Sequence, residues 1–167
     1  MPAHPLSSIP VGADLFLDAD VLIYGLSGRS PQCRRLLHRC ASEEVNGVTS
    51  AHIIGEITHR LMCEEAKSKG LAGSQAAKTL GEHPERVKQL ADYWKDVHNL
   101  LTFNLLLVAV DEHVLLAAHV ERHEYGLLHN DSLVVACMRL YGISMLASHD
   151  AVFQQIAGVT VFAPTDL

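Results

Sequence analysis

The chain has 167 residues, of which 49% are hydrophobic, and its formal net charge at pH 7 is −6. This size and composition suit one compact globular domain, and the acidic balance argues against a protein that coats nucleic acid by charge alone. No apolar run reaches the ~18–20 residues that cross a bilayer, and the first residues lack the basic and apolar regions of a signal peptide. We therefore expect a single domain over residues 1–167, with no membrane partner and a loose N-terminal lead-in over residues 1–13.

Short apolar runs alternate with helical patterns in the first half of the chain. Strands are predicted at residues 14–18 (DLFLD) and 46–50 (NGVTS). The helix after the first strand is interrupted at Gly28 and Pro31, and further helices are predicted over residues 31–44 and 51–70. The segment 71–101 reads as a helical insertion whose second half, 84–101, has the spacing of an amphipathic helix.

The second half of the chain continues the alternation. Residues 105–110 (LLLVAV) form a continuous apolar run, which is typical of a buried parallel strand. Helices are predicted over residues 111–126 and 130–142, then a strand at 143–148, a short helix at 150–158 and a last strand at 159–162. Strands that alternate with helices predict an α/β fold with a parallel five-stranded sheet flanked by helices on both faces.

The four cysteines, Cys33, Cys40, Cys63 and Cys137, form no CxxC pair. We interpret them as buried free thiols in a reducing cytoplasm rather than as a disulfide or zinc site.

Four carboxylates fall at related positions on this map. Asp18 ends the first strand, Asp150 follows the fourth, Asp131 opens a buried helix, and Glu56 lies two turns into the helix after the second strand. Taken singly, each aspartate is explained as a helix cap, and Glu56 as an i, i+4 partner of Arg60. Because parallel strands end at one edge of the sheet, the four could instead point into one cleft.

Converging carboxylates repel one another, at a cost of about 4 kcal/mol for a pair ~4 Å apart at an effective dielectric constant of ~20. Protonation or a cation must relieve that repulsion, and oxygen ligands favour Mg²⁺ or Mn²⁺. We expect Asp18 to be a metal ligand and Asp20 to be the N-cap of the next helix, with a supporting role at the metal site as an alternative.

Four segments resemble, in order, the motifs of the PIN domain, a nuclease fold that includes VapC-like toxins. They are FLDADVLIYGL, VTSAHIIGEITHRL, LLHNDSLVVACMRLYGI and MLASHDAVFQQIAGVTVFAP. Asp20 departs from the neutral residue that the family usually has, and the segment 71–101 is longer than in toxin relatives.

The resemblance implies metal-dependent cleavage of RNA by Asp18, Glu56, Asp131 and Asp150, with Ser148 in support. It also implies a toxin whose antitoxin covers the acidic cleft, or alternatively an RNA-processing nuclease without an antitoxin. A homodimer through the third helix and the insertion is a further expectation.

Three arginines are candidates for holding the RNA backbone. Arg29 lies in the turn after the first motif, and Arg35 and Arg39 share one face of the following helix. A solvated helix face explains Arg35 and Arg39 equally well.

A rival interpretation starts from the same strand, because LFLDADVL also fits the DxDx(T/V) signature of haloacid-dehalogenase-like phosphatases. Asp18 would then be the nucleophile and Asp20 the acid. That family has no use for Glu56 or Asp150, and the late second Asp that it normally carries is replaced by Val135 and Ala136. A third class, an interaction module without catalysis, is disfavoured by the intact acidic quartet.

Overall fold

A computed structural model describes residues 3–167 and contains one parallel sheet of six strands. The strands are β1 (His4–Pro5), β2 (Asp14–Leu17), β3 (Asn46–Ser50), β4 (Leu106–Val108), β5 (Met145–Ala147) and β6 (Thr160–Ala163). Their order across the sheet is β1-β6-β5-β2-β3-β4, and every neighbouring pair is parallel. The α/β class and the parallel sheet are confirmed, whereas the predicted count of five strands was one too low.

The additional strand comes from the N-terminal lead-in. His4 and Pro5 pair with Phe162 and Ala163 of β6, and a short 3-10 helix follows over Leu6–Ser8. Leu6 and Ile9 are buried in the main core. Residues 4–9 of the lead-in are therefore anchored to the sheet and the core, because Leu6 and Ile9 fill the space beside β6. Met1 and Pro2 lie outside the described residues.

Eight α-helices occur within residues 3–167. They are α1 (Ala19–Leu26), α2 (Pro31–Ala41), α3 (Ala51–Ser68), α4 (Ala76–Glu82), α5 (Pro84–Val87), α6 (Asp92–Leu101), α7 (Glu112–Tyr125) and α8 (His129–Leu140). Helix α1 packs on α2, α3 and α6, while α7 packs on α8. The chain steps one way across the sheet from β2 to β4 and then back to β5, so right-handed crossovers place these two groups on opposite faces.

The run at residues 105–110 forms an edge strand, not a buried one. Among residues 3–167, strand β4 pairs only with β3, and Leu106 and Leu107 are 60% and 43% exposed. The continuous apolar sequence predicted burial on both faces of the strand. The strand order, which local sequence does not encode, instead places β4 at the edge of the sheet.

The segment 71–101 contains three helices, and two of them lie where one amphipathic helix was predicted over 84–101. The predicted helix over 84–101 breaks between α5 and α6, so Leu90 is buried while Trp94 is exposed. A small second core joins the segment to α3 through Ala66, Leu80 and Leu90. The segment 71–101 therefore has packing of its own beside the main core. No helix among residues 3–167 is long and apolar enough to cross a membrane.

Candidate active site

A cleft of about 630 Å³ opens at the edge of the sheet where the strands end. Asp18 follows β2, Asp150 lies three residues after β5, and α3 and α8 bring Glu56 and Asp131 to the same cleft. The other side chains lining it are Ala19, Asp20, His52, Ile53, Arg60, Leu128, His129, Asn130 and Val134. The four carboxylates singled out in the sequence thus line one cavity.

Asp18 is held from two sides. Its Oδ1 accepts a hydrogen bond from the Ala19 N–H (2.7 Å), and its Oδ2 accepts one from the Ser148 hydroxyl (2.7 Å). The structure makes Asp18 the N-cap of α1, so the expectation that Asp20 is the cap was wrong. The helix begins two residues earlier than an N-cap at Asp20 requires, because β2 ends at Leu17 and Ala19 already has helical geometry.

Asp20 and Ser148 tie the turn after β5 to the start of α1. Asp20 accepts hydrogen bonds from the Val21 N–H (2.6 Å) and the His149 N–H (3.0 Å). Ser148, which is fully buried, accepts from the Asp150 N–H (3.0 Å) while it donates to Asp18. Asp18 and Asp150 are therefore connected through a single hydroxyl group.

Glu56 and Asp131 complete the cleft from the helices. Glu56 does not pair with Arg60. Its Oε2 accepts a hydrogen bond from Asn130 Nδ2 (2.8 Å), which links α3 to the first turn of α8. Asp131 is half-buried and its carboxylate accepts no hydrogen bond from residues 3–167. Asp150 is exposed and caps the following 3-10 helix through the Val152 N–H (2.9 Å).

Burial and neighbouring carboxylates raise the pKa values of three aspartates in the cleft. Burial and the neighbouring Asp20 raise the pKa of Asp18 to about 7, with a further contribution from Glu56, against the hydrogen bonds from Ser148 and Ala19. The pKa of Asp131 is raised by burial, by Asp150 and by Glu56. The pKa of Asp20 is also raised, mainly by burial. In the folded protein, charging Asp18, Asp20 or Asp131 therefore costs more than charging a solvent-exposed aspartate.

A hard divalent cation fits the chemistry of this cleft. Its carboxylates supply only oxygen donors, which Mg²⁺ and Mn²⁺ prefer, and a cation would offset the repulsion that raises the pKa values of Asp18 and Asp131. In the described part of the chain, no three His, Cys, Asp or Glu side chains are already grouped closely enough to hold an ion. Asp18, Glu56, Asp131 and Asp150 would have to draw together to bind one.

The cleft also contains two polar residues, His52 and Arg60, that we did not assign to the site from the sequence. His52, Glu56 and Arg60 recur every four residues and therefore share one face of α3. His52 Nδ1 lies 2.7 Å from the Ser50 hydroxyl oxygen, and Arg60 makes no ion pair with residues 3–167. The i, i+4, i+8 spacing is visible in the sequence. It indicates a shared role at the site only because α3 lies beside the acidic ends of the strands.

The three arginines proposed to hold RNA lie in different places. Arg29 is exposed, and its Cζ lies 4.8 Å from the centre of the Tyr24 ring, near the rim of the cleft. Arg39 Nε instead binds Glu44 (2.6 Å) and its guanidinium donates to the Ile9 carbonyl oxygen (2.8 Å). Those partners precede β3 and β2, so Arg39 lies at the edge of the sheet where strands begin. Arg35 lines a separate depression beside Arg39. The structure therefore does not bring Arg35 or Arg39 to the acidic cleft.

Comparisons with solved structures support one architecture. VapBC2 of Rickettsia felis, bound to a DNA fragment from its promoter, matches at 12% identity and a TM-score of 0.56, over 89% of this chain and 97% of that one. VapC20 of Mycobacterium tuberculosis, described as a toxin that cleaves the sarcin–ricin loop, matches at 19% identity and 0.54, over 88% and 99%. FitAcB of Neisseria gonorrhoeae matches at 20% identity and 0.52, over 92% and 99%. At these identities the likeness shows the fold alone.

The family is shown at the level of sequence. No curated protein matches the chain. The family model described as the PIN domain matches residues 15–159, which is most of the chain and includes Asp18, Glu56, Asp131 and Asp150. PIN domains are nucleases, so the phosphatase interpretation of Asp18 and Asp20 loses its support. The chain therefore belongs to the PIN domain family of nucleases.

Proposed function

We propose that the protein is an endoribonuclease that requires Mg²⁺ or Mn²⁺ and hydrolyses RNA phosphodiester bonds with a metal-activated water. The observation that supports this proposal is the convergence of Asp18, Glu56, Asp131 and Asp150 on one cleft, where burial and neighbouring carboxylates raise the pKa values of Asp18 and Asp131. The expected products carry 5′-phosphate and 3′-hydroxyl ends.

In this proposal the four carboxylates hold the metal. A bound divalent ion would neutralise them, lower the pKa of a coordinated water and stabilise charge on the attacking and leaving oxygens. The protein's part is to keep the ligands in place. Ser148 fixes Asp18 and the Asp150 backbone, Asp20 fixes the His149 backbone, and Asn130 orients Glu56.

RNA must approach an acidic cleft on a protein of net negative charge, so binding requires positively charged side chains near the cleft to attract its phosphates. Arg60 lines the cleft and has no acidic partner among residues 3–167, which suits it to hold a backbone phosphate. Arg29 at the rim is the second candidate. We no longer place Arg35 and Arg39 in this role, because their positions are remote from the carboxylates.

We further propose that the biological role is that of the toxin in a type II toxin–antitoxin pair. One similar structure is described as a toxin–antitoxin complex from Klebsiella pneumoniae, at 16% identity and a TM-score of 0.54, covering 93% of this chain and 98% of that one. An antitoxin would inhibit this chain by covering the cleft, with an arginine as a suitable group to enter it. The four free thiols fit a reducing cytoplasm.

The decisive test is a cleavage assay on labelled RNA, with DNA and a small phosphomonoester as alternative substrates. We expect RNA cleavage with Mg²⁺ or Mn²⁺, none with EDTA, and a loss of at least about a hundredfold in Asp131→Asn and Glu56→Gln. Asp96→Asn and Glu64→Gln, which change exposed residues on α6 and α3, are the matched controls and should cleave normally. Release of phosphate from the monoester without any cut in RNA would overturn the proposal.

The toxin role needs a separate experiment. We expect expression of the wild-type protein to arrest growth, and expression of Asp131→Asn to be tolerated. A small open reading frame directly upstream, when expressed with the wild-type protein, should restore growth. If RNA is cleaved but no neighbouring gene product inhibits cleavage, the protein is an RNA-processing nuclease without an antitoxin.

A further inference from the structure

Three side chains cluster at the rim of the cleft without an internal role. The Tyr24 ring on α1 has Arg29 Cζ at 4.8 Å from its centre and the His149 ring at 6.0 Å, nearly perpendicular to it. Arg29 and His149 are exposed, and Tyr24 is half-buried. Within residues 3–167, the Tyr24 hydroxyl, the Arg29 guanidinium and the His149 ring nitrogens make no hydrogen bond or ion pair.

This cluster is attached to the candidate active site. His149 stands between Ser148 and Asp150, and its backbone N–H donates to Asp20 Oδ2 at 3.0 Å. The hydrogen bonds made by Ser148 and Asp20 therefore hold the backbone that carries the His149 ring, one residue away from a proposed metal ligand. A ligand that reaches the carboxylates would pass beside this cluster.

The chemistry of the cluster matches one nucleotide of a single strand. Unpaired bases stack on aromatic rings and on arginine planes, and a guanidinium also binds phosphate. An acidic cleft repels the phosphates of RNA, so attraction has to come from groups beside it rather than from net charge. A tyrosine, a histidine and an unpaired arginine together supply stacking and one positive charge.

We propose that Tyr24, Arg29 and His149 form a nucleotide subsite, in which an unpaired RNA base next to the scissile phosphate stacks on the Tyr24 ring with the nearly perpendicular His149 ring at its edge, and Arg29 holds the adjoining phosphate. The inference rests on the proposed ribonuclease function and adds to it a requirement for a single-stranded nucleotide at one position beside the cut. The subsite depends on the rim cluster alone, so an experiment can disprove the subsite without disproving the ribonuclease proposal.

Binding to an abasic series of RNAs tests the subsite. The probe is the shortest fluorescein-labelled single-stranded RNA that the wild-type protein cleaves, with each nucleotide in turn replaced by an abasic one. Affinities are measured by fluorescence anisotropy with Mg²⁺ and with Asp131→Asn as the parent. We expect the abasic change at one position to weaken binding to the parent about 10-fold, within the range for one stacked base.

Combining each protein variant with each abasic RNA shows which side chain contacts the missing base. Tyr24→Leu and His149→Ala are each made in the Asp131→Asn parent. Each should weaken binding of the intact RNA by about 10-fold, and the abasic change at that position should then weaken binding no further. Arg29→Gln should reduce the slope of log affinity against log salt by about 0.7, as expected for one phosphate contact on a single strand. Tyr141→Leu, which removes a half-exposed tyrosine at the far end of α8, is the matched control.

The outcomes separate the two proposals. If every variant keeps the same sensitivity to every abasic position as the parent, the subsite is wrong and the ribonuclease proposal is unaffected. If no RNA is cleaved or bound by the wild-type protein, both proposals fail. Circular dichroism melts of Tyr24→Leu and His149→Ala establish that a loss of affinity reflects the binding surface and not unfolding.

Discussion

Asp18 is the residue where burial and charge conflict most strongly. Its carboxylate accepts hydrogen bonds from Ala19 and Ser148, yet burial and Asp20 raise its pKa to about 7. Between the usual pKa near 3.8 and this value, the folded protein retains a proton that the unfolded chain has lost. The free energy of unfolding therefore falls as pH rises through this interval, so the charged form of Asp18 costs stability when no metal is bound.

Replacement of Asp18 by asparagine should remove that cost. In EDTA, we expect Asp18→Asn to be more stable than the wild type, with an advantage that grows by roughly 2–3 kcal/mol between about pH 5 and pH 8. Urea denaturation at several pH values measures the difference. Asp96→Asn, at an exposed site, should show no such trend. A stability difference for Asp18→Asn that is constant with pH would contradict the assignment.

Arg60 has two possible roles that give opposite results. If it holds a phosphate, Arg60→Gln should raise the KM for RNA about 10-fold, which is about 1.4 kcal/mol, with a smaller change in kcat. Steady-state cleavage rates over a range of RNA concentrations give the two constants. Lys67→Gln, at an exposed position on the same helix, is the control. If Arg60 only balances the carboxylates, its loss should leave the KM for RNA unchanged and tighten Mg²⁺ binding.

At the scale of elements, Glu65 joins the insertion to α3. Its side chain is buried and accepts hydrogen bonds from Lys69 Nζ and from the backbone N–H groups of Ala91 and Tyr93, the last two at 2.8 Å. Ala91 is the N-cap of α6 and has no capping group of its own, so a carboxylate from α3 caps this helix. Burial alone would raise the pKa of Glu65, but these hydrogen bonds lower it to about 2.

Loss of this carboxylate should loosen α6. We expect Glu65→Gln to lower the free energy of unfolding by about 1–3 kcal/mol near neutral pH, because charged hydrogen bonds are replaced by weaker ones. Hydrogen exchange should accelerate at the Ala91 and Tyr93 amides. Glu64→Gln, an exposed neighbour, should change neither measurement. Normal protection of both amides in Glu65→Gln would show that the helix does not depend on this cap.

The same contact predicts a pH dependence. Because the folded pKa of Glu65 lies below its usual value near 4.5, its stabilising effect is complete above that value and is lost as pH falls toward about 2. The difference in stability between the wild type and Glu65→Gln should therefore shrink on acidification. This trend is opposite in sign to the one expected for Asp18.

At the scale of the molecule, one edge of the sheet remains uncovered. Beside β4, an apolar groove of about 560 Å³ lies between α3 and α6, and Trp94, Leu101, Leu106 and Leu107 are each more than 40% exposed. An edge strand offers unpaired backbone groups, and its pairing with a second copy is self-complementary about a two-fold axis. We propose this face as the interface of the homodimer that we expected from α3 and the insertion.

The oligomeric state tests that interface. We expect the wild type to sediment as a dimer at micromolar concentrations, and Leu101→Lys or Trp94→Lys to shift it toward the monomer. Leu140→Lys, which alters a similarly exposed leucine on α8, should leave the dimer intact. Analytical ultracentrifugation over a concentration series makes the comparison. A wild-type protein that is monomeric throughout would rule out this interface.

The sequence by itself determined the class of fold, the order of the elements after the lead-in and the position of each carboxylate relative to its own strand or helix. These are local properties: apolar period, strand length and the residues at the element ends set them. For this reason the helices α2, α3, α7 and α8 lie within a few residues of their predicted bounds.

Only the tertiary structure decided which strand lies at the edge, which residues join the four predicted carboxylates in the cleft and which arginines face it. Strand order depends on pairing between distant segments, so the apolar β4 is exposed while the polar His4–Pro5 pair becomes a sixth strand. Arg39 and Arg60 look alike in the sequence. Their different neighbours, Glu44 for one and the acidic cleft for the other, exist only once the chain has folded.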